Sequence, residues 1–151
     1  MSVRDDHRRE FDESFARPFE APEPRTGLLA VEIAGMRYAV LLDDVQGVAE
    51  AGIITPVPSP RSELVGVASQ RGRILAVFDL GALLGHPRGA PPAWLVIARG
   101  QPIAFGVAVL DGHIAVPRTA ISEGTVNIAG AVRPIVPLGR LARQLVDKKE
   151  T

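Results

Sequence analysis

Cysteine is absent from this 151-residue chain, which excludes disulfides, thiolate nucleophiles and Cys-based metal sites. Net charge is absent as well, with 17 Lys and Arg against 17 Asp and Glu. A neutral chain has no overall attraction for nucleic acid or anionic lipid, so neither is expected as the main partner. No apolar run approaches the ~20 residues that span a bilayer. The opening MSVRDDHRRE is charged where a secretory signal is apolar. The expected location is therefore cytoplasmic. Aromatics are scarce, at five Phe, one Trp and one Tyr, so the core has to be aliphatic.

The groups of an active site are missing too. His7, His86 and His113 show no metal-ligand spacing. Asp43 and Asp44 are adjacent at a strand end, where neighbouring side chains point to opposite faces. Asp111-Gly112 reads as a hairpin turn. The segment from Gly81 to Gly85 lacks the Lys-Ser/Thr of a phosphate loop, and no Gly-x-Ser-x-Gly elbow occurs. The expectation is no enzyme, no metal and no cofactor.

What is present points to β structure. Val and Ile total 27 against 14 Leu, and 15 Gly and 13 Pro supply the turns. Residues 1–25 stand apart as a charged tail, with 12 Asp, Glu or Arg, closed by Pro22 and Pro24. Such a segment cannot bury enough apolar surface to offset its ordering entropy. Yet Phe11, Phe15 and Phe19 fall at spacings of four, which lines one helical face as far as Pro18. The tail is either disordered or a short motif that folds onto a partner.

From Gly27 the chain reads as hairpins. Leu29, Val31 and Ile33 alternate, Ala34-Gly35 turns, and Tyr38, Val40 and Leu42 return. Strands are expected over 64–69 and 73–78 about the turn Gln70-Arg71-Gly72. Asp79 then caps a helical turn from Leu80 to Leu84 that Gly85 closes. Trp94 to Ala98 and a long alternating strand from Ile103 to Val109 follow, and Leu138, Leu141 and Leu145 mark a final amphipathic helix. The second half echoes the first. VIARGQPIAFGVAVLD from Val96 parallels VEIAGMRYAVLLDD from Val31, and IAGAV from Ile128 parallels LVGVA from Leu64. Two like β units, each too small to stand alone, are expected to share one core.

The run LVGVASQRGRILAVFDLGALLG, from Leu64 to Gly85, resembles the signature of the CheW-like domain, the family of bacterial chemotaxis coupling proteins. The first hairpin, the valines at 45 and 48 and the prolines at 56, 58 and 60 fit the same pattern. The resemblance implies an all-β fold of two intertwined SH3-like barrels with short helices, over residues 26–146. Subdomain 1 is expected over 27–85, subdomain 2 over 94–137 and the C-terminal helix over 138–147. It implies a non-catalytic scaffold that binds the cytoplasmic tip of chemoreceptors and links them to a CheA-type histidine kinase within receptor arrays. Carried onto this chain, receptor contacts fall on Arg71 and Gly72 at the turn and on Val45 and Val48.

The pattern also departs from the family. Ser69-Gln70 replaces Asn-Leu, and Ala76 stands where proline is usual. The stretch from His113 to Arg133 is short, so a lost strand and weakened kinase binding are expected. Two alternatives remain at this point: an interaction module of another two-component pathway, or a β-barrel that binds nucleic acid, for which the aromatic platforms are lacking.

Overall fold

The computed structural model describes residues 24–150. Residues 1–23, with Phe11, Phe15 and Phe19, lie outside them. The order is β1 (Arg25–Ile33), β2 (Met36–Leu41), β3 (Val45–Glu50), β4 (Leu64–Gln70), β5 (Arg73–Asp79), α1 (Leu80–Leu83), β6 (Trp94–Ala98), β7 (Ile103–Val107), β8 (Val109–Pro117), β9 (Ile121–Ser122), β10 (Thr125–Ile128), β11 (Ala131–Val136) and α2 (Leu138–Glu150). The first strand thus takes in Arg25, which sequence reasoning gave to the tail.

The strands form two sheets, β8-β1-β2-β11-β10-β9 and β3-β6-β7-β5-β4. Both have the same plan. A central hairpin (β1–β2 or β6–β7) is flanked on one side by an antiparallel strand donated from the other half of the chain. On its other side it pairs in parallel with the second strand of a further hairpin. The isolated bridge Thr55–Val67 even supplies a counterpart to β9. The internal repeat is therefore real, but the sheets are not the two halves of the chain. Barrel 1, residues 45–107, takes β6 and β7. Barrel 2 takes β1 and β2 together with β8 to β11. Contiguous subdomains at 27–85 and 94–137 do not describe this exchange.

Three further expectations change. No strand is lost from the second half, where β8 to β11 match β3, the Thr55 bridge, β4 and β5. IAGAV is not a strand: Ala129 and Gly130 have φ of +51° and +84° and form the turn between β10 and β11. The long strand from Ile103 breaks at Ala108, where the chain leaves barrel 1 for barrel 2, and Asp111-Gly112 sits inside β8. The register there shifts opposite Ala30/Val31, so Asp111-Gly112 marks a bulge, not a hairpin turn.

Burial explains why the strands read as almost continuously apolar. The central strands are covered on both faces. Leu29, Val31, Tyr38 and Val40 face a shared core between the barrels, where they meet Val96, Ile103, Phe105 and Val107. Their neighbours turn the other way: Leu28 and Ala39 fill barrel 2 with Val116 and Val126, while Leu95 and Ala104 fill barrel 1 with Leu75 and Val77. The final helix closes the shared core with Leu138, Ala142 and Leu145, as its leucine spacing predicts. At α1 the Asp79 carboxylate accepts from Gly81 N–H at 3.2 Å, the expected cap.

Candidate functional site

Strands β4 and β5 are joined by the two-residue turn Arg71-Gly72, with φ of +50° and +78°. Two positive φ values make the turn that matches the twist of a hairpin. Asn or Gly usually occupies its first position, and an arginine there carries backbone strain of about 1–2 kcal/mol. The turn holds Arg71 exposed beyond the end of the sheet. Among the described residues the one ion pair is Arg61 with Glu63, so Arg71 has no carboxylate partner there.

Opposite this turn lies β3, the edge of barrel 1. Gln46, Gly47, Val48 and Ala49 form one wall of a depression of about 250 Å³, and Gln70, Arg71 and Arg73 form the other. Arg73 reaches across it, with Nη1 3.5 Å from Gln46 Oε1. Leu75 and Ile97 make the floor, so the depression opens onto the interior of barrel 1. Guanidinium and amide donors thus surround an apolar base. That arrangement suits an apolar side chain flanked by carboxylates or free backbone carbonyls, as on an amphipathic helix.

The sequence-predicted residues divide here. Arg71, with Gly72 beside it in the turn, and Val48 come together at this depression, with Val48 37% exposed. Val45 does not belong to it. It is only 6% exposed and lies in the shared core. Val45 lies opposite Ala98 at the buried start of β3 and Val48 opposite Val96 at its exposed middle, with a register shift between Val45 and Gly47. Sequence reasoning missed Gln46, Gln70 and Arg73. Strand alternation alone could have marked Gln46 as outward beside a buried Val45.

The fold duplication offers an internal comparison. The counterpart of the Arg71-Gly72 turn in barrel 2 is Ala129-Gly130, and the counterpart of exposed Ile74 (73%) is exposed Val132 (66%). Both hairpins present a β-branched side chain to solvent, but the exposed Arg71 and Arg73 of barrel 1 correspond to Ala129 and Ala131 in barrel 2, where Arg133 is part-buried.

No group of His, Asp and Glu suited to a metal ion occurs among the described residues, and no helix there is long and apolar enough to cross a membrane. Arg99 has a structural role. Its Nε donates to Asp43 O and its Nη2 to Val45 O, both at 2.9 Å, tying the β6–β7 turn to the entry of β3.

Comparison with known proteins bears on this arrangement. The chemotaxis protein CheW of Thermotoga maritima is 40% identical over 58 residues, 38% of each chain. Protein FrzA of Myxococcus xanthus is 28% identical over 102 residues, 66% of this chain and 63% of that protein. The matched segments thus span less than two thirds of either relative. The crystal structure of the scaffolding protein TtCheW from Thermoanaerobacter tengcongensis superposes with a TM-score of 0.69 at 19% identity. That match covers 78% of this chain and 92% of the other, so the two share the double-barrel fold. The model of the CheW-like domain matches residues 27–142, from β1 into α2, and the chain belongs to the CheW-like domain family.

Proposed function

We propose that this protein is a non-catalytic coupling protein of a chemotaxis-type pathway, located in the cytoplasm at receptor arrays. In this reading the depression between β3 and the Arg71-Gly72 turn receives the helical tip of a chemoreceptor. The observation that carries it is the meeting of Arg71 and Val48, far apart in sequence, at one donor-rimmed apolar depression. The guanidinium presents a rigid fork of donors to carboxylates or helix-end carbonyls, while Val48 and the floor take an apolar helical position.

Linkage to a CheA-type kinase belongs to the same proposal. The sequence alone predicts weakened kinase binding, from a lost strand. Barrel 2 has the full strand set of barrel 1, so the linkage is proposed in its ordinary form. The test is calorimetry against a receptor cytoplasmic domain and against the kinase, separately, with the native chain and Arg71→Glu. The native chain should bind both. Failure to bind either partner would leave the coupling role without support.

A further inference from the structure

A second cavity lies on barrel 1, away from the depression at Arg71. It holds about 460 Å³ and is lined mainly by apolar side chains, among them Val57, Val67, Ala76, Ile103, Leu145 and Val146. The proline-bearing loop after β3, the outer face of β4 and β5 and the end of α2 enclose it. Arg61 stands at its rim, with its guanidinium 5.8 Å from the centre of the Phe78 ring. A cavity of about 150 Å³ suffices for one benzene ring, so this one has room for two phenylalanine rings. None of the residues assigned to the coupling role lines it.

The chain itself carries a matching ligand. Positions 1–23 hold three of its five phenylalanines, and seven acids against four bases. This segment joins the fold at Pro24, whose carbonyl accepts from Arg118 N–H at 3.3 Å. Three residues on, a Cβ on Gly27 would meet Leu42; a Cβ on Gly139, in the first turn of α2, would meet Asp44. Chain entry and the start of α2 therefore share one end of the molecule. Leu145 lies two turns further along the helix, about 10 Å away. Pro24 lies three extended residues, about 10 Å, before Gly27, and residues 16–23 can span at most about 26 Å from there toward the cavity.

We propose that this cavity is the docking site of the chain's own N-terminal segment, with Phe11 and Phe15 seated in it. The acids of the segment, Asp12 and Glu13 among them, then compete with Glu63 for the guanidinium of Arg61 at the rim, which Glu63 holds at 3.1 Å. Tethering supplies an effective concentration in the millimolar range, so a contact that is weak between separate chains is well populated within one.

The absence of cysteine makes the test direct. Ser14→Cys in the full chain gives a single site for a nitroxide spin label, and methyl NMR reads its neighbours. The Ile103, Leu145 and Val146 methyl signals should lose most of their intensity, while that of Ile128 in barrel 2 stays sharp. Phe11→Ser combined with Phe15→Ser in the same labelled chain should restore the lost signals. Unchanged cavity methyls, or broadening that survives the double substitution, would overturn the proposal. So would broadening carried over in a mixture of spin-labelled and isotope-labelled chains, which assigns the cavity to a second copy.

Discussion

Gly66 offers the sharpest test of how barrel 1 is built. It sits at the register shift between Leu64 and Gly66 in β4, with φ of +157°. A Cβ at this position would meet the carbonyl oxygen of Thr55 and lie 3.0 Å from Pro56 Cα, both backbone atoms that cannot swing away. The carbonyl it strikes accepts from Val67 N–H, and Thr55 N–H returns the bond, both at 2.8 Å. In Gly66→Ala this two-bond bridge has to open. Overpacking costs about 1–3 kcal/mol, and each lost hydrogen bond adds about 1 kcal/mol. A loss of roughly 3–5 kcal/mol is therefore expected, a large part of the ~5–15 kcal/mol that holds a domain together. Gly89 is the control. Nothing stands within 4 Å of a Cβ there, so Gly89→Ala should change stability by less than about 0.5 kcal/mol. Urea unfolding of the three proteins measures the difference through the midpoint at constant slope. If Gly66→Ala unfolds at the midpoint of Gly89→Ala, the close approach of the Thr55 segment to β4 is not as described.

Three other substitutions probe separate joints of the fold. Phe105→Ala removes the largest fully buried side chain of the shared core, and should cost about 3–5 kcal/mol by urea unfolding. Arg99→Ala removes two charge-assisted bonds to Asp43 and Val45 and should cost about 1–3 kcal/mol; Arg99→Lys should recover less than half, since an ammonium cannot reproduce the fork. Asp79→Ala deletes the cap of α1 and should lower stability by about 1 kcal/mol, with Asp79→Asn retaining most of it.

Local chemistry was legible in the sequence and long-range pairing was not. Ala34-Gly35 and Arg71-Gly72 read as turns because the glycine of each pair adopts positive φ without strain, and Asp79 reads as a cap because its carboxylate finds a free helical N–H. IAGAV and LVGVA look alike, yet Gly130 lies in a hairpin turn while Gly66 lies at a strand irregularity beside Thr55. Which role a glycine takes depends on the segment packed against it, and that segment is distant in sequence. The exchange of hairpins leaves no local sequence signal for the same reason. The pairing of β3 with β6 joins residues about fifty positions apart, and no local period encodes a partner. At the candidate site, Arg71 and Val48 were found through the family resemblance. Val45 departs from that reading because it opens β3 inside the shared core, while Val48 lies at the exposed middle of the strand.

The central claim is that the Arg71 guanidinium anchors a receptor helix at the depression between β3 and the β4–β5 turn. Calorimetric titration of a chemoreceptor cytoplasmic domain into the native chain and into Arg71→Glu measures this most directly. A charged hydrogen bond contributes about 1.5–3 kcal/mol, so reversing the charge should weaken receptor binding at least about tenfold. Kinase binding, measured alongside, should be unchanged. Equal receptor affinity in the two proteins would contradict the assignment.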